Sequence, residues 1–160
     1  MESNTYPILI LKINEQPYGI MVHDIVQIVD MVAITPLPLT ISSIQGVINF
    51  RGDVVPIMDL RLRLRLPFQE YELNTPIILL DMKSHKIGVV SDEVEDIIEI
   101  PKEDVEENPA ISKLGMVDSQ TEKSLFSLAK IGETIIPIFQ GHALLSEVEQ
   151  EQIQQTLASL

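Results

Sequence analysis

The fold is decided by residues 46–61, whose sequence is GVINFRGDVVPIMDLR. Within it, residues 54–58 form a short run rich in Val and Ile, which is typical of a β-strand. Pro56 lies inside this run and has no backbone N–H, so we expect an edge position there. Arg51 lies between Asn49 and Gly52, where we expect a tight turn that Asn49 caps. The stretch therefore predicts a strand preceded by a tight turn.

The same pattern occurs again in the second half of the chain. Residues 135–139, with the sequence IIPIF, match residues 54–58, and a glycine followed by an acid precedes each copy. Further apolar, glycine and acidic positions coincide when Gly19 is aligned with Gly88. Because each of these glycines interrupts a strand pattern, we expect a close backbone approach or a bulge there. We interpret the chain as an internal duplication, with chance similarity of short apolar runs as the alternative.

Two segments favour helix, in a chain whose other apolar runs have the length of strands. Residues 24–29 open with an aspartate, a residue type that often begins helices, and are expected to form a turn or two. After Gly141, apolar positions at helical spacing predict an amphipathic helix over residues 142–158. Residues 60–66, LRLRLRL, alternate strictly and fit either a strand or a capped turn. In both cases we expect the arginines of that segment to face solvent.

The composition excludes several classes of protein. The 160-residue chain has no Cys, which excludes disulfide scaffolds, thiolate zinc sites and cysteine nucleophiles. Its 45% hydrophobic content favours a folded core over intrinsic disorder. A net charge of −13 is wrong for a nucleic-acid binder, and no apolar run reaches the length of a membrane span. We therefore expect a cytoplasmic protein with protein partners, no nucleic-acid binding and no direct membrane insertion.

The charge is unevenly distributed along the chain. Residues 92–107 hold nine acids against Lys102 alone, whereas all four arginines lie between residues 51 and 65. Such charge runs usually form a solvated surface. They also fit a pair of complementary docking surfaces, because opposite patches steer encounter and fix register.

Catalytic, metal and cofactor signatures are missing from the sequence. His23, His85 and His142 are scattered, and the adjacent His23 and Asp24 are expected to point apart, as neighbours in a strand do. No serine lies in a nucleophile elbow, and no glycine-rich phosphate loop occurs. The acids of residues 92–107 lack the spacing of an EF-hand calcium loop. The sequence predicts a protein without catalytic residues, metal ligands or cofactors.

Two stretches of the chain resemble the signatures of CheW-like chemotaxis adaptor domains. Residues 46–61 are similar to the family pattern G-v-x-N-x-R-G-x-x-x-P-x-x-D-L-R, and residues 87–94, IGVVSDEV, are similar to v-G-l-x-V-D-x-V. The resemblance extends over about residues 6–146, and several motifs in the same order are more specific than one motif. The sequence departs from the family at Ser91, usually a valine, at Gln27, often an acid, and at residues 139–140, usually Leu-Asp.

The resemblance implies a single CheW-like domain over residues 1–160 with an all-β fold. That fold is two similar five-stranded SH3-like β-barrels packed together, with short helical segments and a C-terminal helix. We place the first lobe at residues 14–66, the second at residues 77–140 and the helix at residues 142–158. Family motif positions with a structural role are expected at the following residues: Gly19, Gly46, Pro56, Asp59, Leu60, Gly88, Asp92 and Val94.

The resemblance also implies a function and a set of binding residues. Family members are non-catalytic adaptors that couple the cytoplasmic tip of a chemoreceptor, a methyl-accepting protein, to the regulatory domain of the CheA histidine kinase. They are cytoplasmic and are recruited to receptor arrays at the inner face of the membrane. Receptor contacts carried over by resemblance are Ile25, Gln27, Ile28, Asn49, Arg51 and Gly52.

Other functions remain open at this point. The same adaptor could serve a type IV pilus chemosensory pathway or another signalling partner. A regulatory β-barrel that binds a small ligand is a different class of function, and it would show a deep apolar pocket with convergent polar groups. For Arg51 itself, an internal salt bridge or turn hydrogen bond competes with a role in binding. Ile25 and Ile28 fit core packing as well as partner contact.

Overall fold

The computed structural model describes residues 3–107 and 125–159, which form a protein built mostly of β-strands. The strands, in chain order, are β1 (Thr5–Ile13), β2 (Gln16–Met21), β3 (Ile25–Asp30), β4 (Ile44–Phe50), β5 (Asp53–Asp59), β6 (Pro76–Asp81), β7 (Lys86–Val90), β8 (Glu93–Pro101), β9 (Val105–Glu106), β10 (Phe126–Ile131) and β11 (Thr134–Phe139). The helices of the described residues are α1 (Leu60–Arg63) and α2 (Glu147–Ala158), with 3-10 turns at Val22–Asp24, Lys102–Asp104 and Gly141–Ala143. The predicted all-β fold, with short helical segments and a C-terminal helix, is confirmed.

The chain divides into two compact units, each with its own sheet. The first unit spans Met1–Asp24 and Val94–Leu144, and the second spans Ile25–Glu93 and Leu145–Leu160. The first sheet has the strand order β8-β1-β2-β11-β10-β9, and the second has the order β3-β6-β7-β5-β4. The units are two similar SH3-like β-barrels, and the first carries β9 as a short additional strand. They differ from the predicted lobes, residues 14–66 and 77–140, because each unit takes strands from both halves of the chain.

The exchange of strands between the two halves follows the repeated motifs. In the first unit β2 pairs in parallel with β11, and Gly19 lies opposite Ile138. In the second unit β7 pairs in parallel with β5, and Gly88 lies opposite Ile57. The glycine motif of each half therefore pairs with the proline motif of the other half. This equivalence supports the interpretation of the chain as a duplication, and it explains why consecutive halves are not the compact units.

The two repeated glycines are needed because neighbouring side chains occupy the space where a Cβ atom would lie. A Cβ atom at Gly19 would collide with Ile138 Cδ1 and lie 2.7 Å from Ile8 Cγ2. At Gly88 it would lie 2.6 Å from Ile57 Cδ1. The prediction of a close approach is therefore correct for both positions, but the atoms that approach these glycines belong to side chains and not to the backbone. Isoleucines fill the room that a side chain at either glycine would need.

The two repeated prolines do not lie at sheet edges, so the edge prediction is wrong. Pro56 is in β5 and Pro137 is in β11, and both strands have neighbours on each side. The parallel ladders begin one residue later, at Ile57 and Ile138. Proline is tolerated in these interior strands because it precedes the parallel pairing that would need its N–H.

Each unit has its own hydrophobic core. In the first unit, buried residues from β1, β8, β10 and β11 pack together: Ile8, Ile10, Ile100, Ala129, Ile136 and Ile138. In the second unit, the equivalent cluster comes from β4, β5, β6 and β7: Ile48, Val55, Ile57, Ile77, Leu79 and Val90. The dominance of Ile and Val is what β-strands packed on one face require.

The alternating stretch after β5 is a short capped helix, which resolves the choice between strand and capped turn. Asp59 is the N-cap of α1, and its Oδ1 accepts hydrogen bonds from the backbone N–H groups of Arg61 at 2.8 Å and Leu62 at 3.3 Å. Asp59 Oδ2 accepts a hydrogen bond from the Tyr71 hydroxyl at 2.6 Å. Leu60 is fully buried. The motif residues Asp59 and Leu60 thus hold the chain where it leaves β5.

The expectation that the arginines of this helix face solvent is wrong for Arg61. Its side chain is only 13% exposed, and its Nη1 lies 2.6 Å from Asp92 Oδ2. Asp92 is an acid of the second family motif, so this ion pair joins the two motifs. Arg65 is exposed, as predicted.

The two helix predictions have different outcomes. Residues 24–29 are wrong as a helix, because Val22–Asp24 form a 3-10 turn and Ile25–Asp30 form β3, where β-branched side chains pair with β6. The C-terminal helix exists, but it begins at Glu147 and not near residue 142. Ser146 and Glu149 cap each other's backbone N–H groups in a capping box, which fixes the start.

Some acids of residues 92–107 form contacts with other side chains of the first unit. On the first unit, Glu95 forms an ion pair with Lys12 at 3.0 Å, and Glu99 accepts a hydrogen bond from Thr5 at 2.6 Å. Glu107 accepts another from the Tyr6 hydroxyl, which raises the pKa of Tyr6. Three of the nine acids therefore bind side chains of β1 while remaining exposed at the surface.

Candidate functional site

The turn between β4 and β5 is the tight turn that the sequence predicts. Phe50 pairs with Asp53, which leaves Arg51 and Gly52 as a two-residue connection. Both have positive φ, +52° for Arg51 and +85° for Gly52, as hairpin turns that match the twist of the strands require. Asn49 Oδ1 accepts a hydrogen bond from Gly52 N–H at 3.0 Å, so the capping role of Asn49 is confirmed. This geometry places Arg51 at the exposed tip of the hairpin.

The Arg51 side chain connects this tip to β3. Its Nη2 donates a hydrogen bond to Gln27 Oε1 at 3.0 Å, and its guanidinium carbon lies 4.9 Å from the centre of the Phe50 ring. Three of the predicted binding residues, Arg51, Asn49 and Gly52, therefore lie in one turn, with Gln27 bonded to it. The internal partner of Arg51 is a neutral amide, so the alternative of an internal salt bridge is not what the structure has.

The two apolar residues of β3 that were predicted to contact a partner differ in their exposure to solvent. Ile28 is 40% exposed, whereas Ile25 is half-buried, next to the register shift between β3 and β6. Val26, which the sequence analysis missed, is 51% exposed. Once residues 25–30 are known to be a strand, period-two alternation places Val26 and Ile28 on the same exposed face. Val26 was missed because the segment was interpreted as a helix, in which this alternation has no meaning.

A small concavity lies beside the turn, within the second unit. Its volume is about 120 Å³, and its lining includes Val26, Phe50, Arg51, Asp53 and Lys86, together with Val55 and two leucines of β6. Lys86 Nζ lies 2.8 Å from Asp53 Oδ2, and the hydrogen bond and attraction from Asp53 raise the pKa of Lys86. Two cations, one acid and five apolar side chains therefore surround the same small volume. Sequence reasoning missed Lys86 because only the folded sheet brings β7 beside the turn.

The other motif residues have structural positions. Gly46 lies at a bulge in β4 with φ +145°, and Pro56 precedes the parallel ladder of β5. Asp59, Leu60 and Asp92 belong to the α1 network, and Gly19 and Gly88 make room for isoleucines. Val94 is half-buried at the start of β8. None of these residues is among those that line the concavity.

The histidines are not part of a metal-binding group in the described part of the chain. His23 Nε2 lies 3.3 Å from Asp24 Oδ1, so the expectation that these side chains point apart is wrong, because they lie in a 3-10 turn and not in a strand. Across residues 3–107 and 125–159, no three His, Cys, Asp or Glu side chains are grouped so that they could hold a metal ion. None of the described helices has the length and apolar character needed to cross a membrane.

His85 lies at the end of the β6–β7 return, directly before β7, and we expect it to make the stability of the second barrel depend on pH. Its Nε2 is buried and has no hydrogen-bond partner among the described residues, and burial lowers the pKa of His85 while Asp81 opposes the shift. The unfolded chain takes up this proton more readily, so the contribution of His85 to stability is present above pH of about 6.5 and is lost below it. We expect the urea midpoint of His85→Gln to fall less between pH 7.5 and 5.5 than that of the wild type. His142→Gln, which removes an exposed histidine, is the matched control, and an equal fall in all three proteins would contradict this assignment.

Comparison with known proteins identifies a family over nearly the whole chain. The family model of the CheW-like domain matches residues 7–149. The chain is 30% identical to Chemotaxis protein CheW of Bacillus subtilis over 139 residues, which cover 87% of this chain and 86% of that protein. It is 30% identical to Chemotaxis protein CheW of Klebsiella aerogenes over 141 residues, which cover 88% of this chain and 82% of that protein.

A solved structure agrees with the sequence comparisons. The crystal structure of the scaffolding protein TtCheW from Thermoanaerobacter tengcongensis is similar to this chain, with a TM-score of 0.73 and 28% identity. The similarity covers 88% of this chain and 92% of TtCheW. The repeated motifs, the two barrels and these matches lead to one conclusion: the chain belongs to the CheW-like domain family.

Proposed function

We propose that this protein is a non-catalytic scaffold that couples the cytoplasmic tips of chemoreceptors to the regulatory domain of a CheA-type histidine kinase. The observation that carries the proposal is the match of residues 7–149 to the CheW-like domain. It is supported by the names of similar proteins, which are chemotaxis proteins and a scaffolding protein. The protein would be recruited to receptor arrays through its partners, at the inner face of the membrane.

The β4–β5 turn is the proposed receptor-binding surface. Arg51 is exposed at its tip, and Val26 and Ile28 add exposed apolar area on β3. A receptor tip is a helical hairpin in this family, and a helix of that kind docks by apolar contacts that a few polar groups orient. A guanidinium presents several fixed donors to a carboxylate or to helix carbonyl oxygens. The turn therefore offers both kinds of contact in one place.

A small-ligand function is disfavoured at this surface. Pockets that hold drug-sized ligands usually measure about 300–1,000 Å³. The concavity beside Arg51 measures about 120 Å³ and lies open beside an exposed turn. Its size suits a single side chain of a partner protein. A type IV pilus pathway would use the same adaptor chemistry with a different receptor.

A titration against two fragments tests the proposal. Purified protein is titrated with the regulatory domain of each CheA-type kinase of the same organism, and with a fragment containing the cytoplasmic tip of each chemoreceptor. We expect binding to at least one member of both groups and a ternary complex when both are present. Absence of binding to every kinase and every receptor would overturn the proposed function.

Charge reversal at Arg51 tests the receptor-binding surface. We expect Arg51→Glu to weaken binding of the receptor-tip fragment roughly tenfold or more, because it replaces the exposed cation with an anion at the centre of the surface. The melting temperature is expected to stay within about 2 °C of the wild type, because the side chain is exposed. Arg65→Glu is the matched control, since Arg65 is also exposed, has positive φ and changes the net charge equally. A large loss of melting temperature in Arg51→Glu would instead assign Arg51 a structural role in the turn.

A further inference from the structure

The turn of Arg51 carries a positive charge that its own surroundings leave unbalanced. Gln27, which receives the hydrogen bond from Arg51, is neutral. Throughout residues 3–107 and 125–159, no carboxylate forms an ion pair with Arg51. The nearest acid along the chain, Asp53, is already engaged by Lys86 at 2.8 Å. Among the lining residues, Asp53 offsets one of the two cations and leaves Arg51 without a carboxylate; Asp81, opposite Lys86 in the β6–β7 ladder, acts on Lys86 as well.

The shape of the concavity restricts what this charge can attract. A volume of about 120 Å³ corresponds to roughly four water molecules, which is room for one side chain. Val26 and Phe50 provide apolar walls, and Arg51 and Lys86 provide the cations. A carboxylate on a short aliphatic stem matches this combination, because its methylene groups contact the walls while its oxygens accept from the cations.

We propose that Gln27 makes this turn selective for a receptor segment that carries an acidic side chain, and that this carboxylate docks in the concavity between Arg51 and Lys86. The inference rests on the proposed receptor-binding function and adds the charge of the partner and the residue that sets it. Lys86 becomes a further binding residue, held in position by Asp53. Because Gln27 leaves Arg51 uncompensated, the partner's carboxylate is the counter-ion.

The identity of residue 27 is decisive because of its position. An acid there would lie at hydrogen-bond distance from the Arg51 guanidinium, where Gln27 Oε1 is 3.0 Å from Nη2. Opposite charges at that separation neutralise each other, and the new anion would also repel the incoming carboxylate. With Gln27 neutral, this chain is expected to prefer an acidic receptor segment to a neutral one.

Binding of the receptor-tip fragment to three variants tests the inference, with affinities measured in 50 mM and 300 mM salt. We expect Gln27→Glu to weaken binding roughly tenfold in 50 mM salt, and we expect the difference to shrink in 300 mM salt because screening weakens the charge term. Lys86→Gln is expected to weaken binding about threefold with the same dependence on salt. Gln154→Glu changes the net charge equally on an exposed position of α2, and we expect less than a twofold effect.

The outcomes separate this inference from the proposed function. Wild-type protein that binds the tip fragment while Gln27→Glu binds within twofold of it, or more tightly, would overturn the charge selection and leave the receptor-binding function standing. Equal weakening by Gln27→Glu and Gln154→Glu would also overturn it, because overall charge would then be the cause. A wild-type protein that binds no tip fragment would overturn both. Thermal melting of each variant confirms that the affinities refer to folded protein.

Discussion

Gly46→Ala is expected to lower the free energy of unfolding by roughly 3 kcal/mol or more. Gly46 has φ +145°, a backbone conformation that side chains disfavour, and it lies at the bulge between Ile44 and the rest of β4. A Cβ atom there would collide with the carbonyl oxygen of Thr35 and lie 2.7 Å from its carbonyl carbon. That oxygen accepts a hydrogen bond from Val47 N–H at 2.8 Å, so the backbone cannot move away without breaking a bridge to β4.

Gly52→Ala is the matched control for this prediction. Gly52 also has positive φ, +85°, but among the described residues no heavy atom other than those of Gly52 and its two chain neighbours lies within 4 Å of the place where its Cβ would be. Its substitution is therefore expected to cost only the backbone strain, about 1 kcal/mol. Urea unfolding of both variants measures the difference. Similar losses in the two proteins would show that strain alone, and not the collision with Thr35, makes Gly46 necessary.

Asp59→Ala is expected to lower the free energy of unfolding by roughly 2–4 kcal/mol. Asp59 is 1% exposed and serves three donors at once, namely two backbone N–H groups of α1 and the Tyr71 hydroxyl. Alanine removes the N-cap and leaves these donors without their acceptor. The end of β5 is then no longer joined to the loop that carries Tyr71.

Tyr71→Phe separates the two roles of Asp59. It removes only the hydroxyl, so the N-cap of α1 is retained, and we expect a loss of about 1–2 kcal/mol. Burial, followed by the hydrogen bond to Asp59, raises the pKa of Tyr71, so the hydroxyl stays protonated and donating at neutral pH. The midpoint of urea unfolding at pH 7 checks both variants. A loss for Asp59→Ala no larger than that for Tyr71→Phe would show that the cap contributes little.

Local patterns in the sequence predict local structure well in this protein. The turn at Arg51 and Gly52 follows from residue types at adjacent positions, and its strand follows from a run of Val and Ile. Residues 24–29 fail as a helix because an N-cap residue is a weak signal beside β-branched side chains that pair with β6. The strict alternation of residues 60–66 is compatible with a strand, but the Asp59 cap makes their first part a helix. The hydrogen bonds of such a cap do not appear in the hydrophobic pattern.

The candidate site shows the same limit. Arg51, Asn49 and Gly52 lie within four residues of one another, so the sequence alone places them together. Val26 and Lys86 come from β3 and β7, which are distant from the turn in the sequence. β7 lies beside the turn because it pairs with β5, whereas β3 is at the other end of the sheet order and is brought to the turn by the fold, as the Gln27 to Arg51 hydrogen bond shows. The order of the strands could not be predicted by treating each half of the chain as one unit, because each parallel pair joins motifs from opposite halves.

The pairing of β2 with β11 sets the order in which the protein can fold on the ribosome. All five strands of the second sheet lie within residues 25–90, so that barrel can close while the rest of the chain is still being made. The first hairpin, in contrast, waits for Ile138, which lies about 120 residues after Gly19 and is synthesised on the order of ten seconds later. During that time the edge of β2 is open to other strands. The barrel that carries Arg51 is therefore the one that newly made protein presents first.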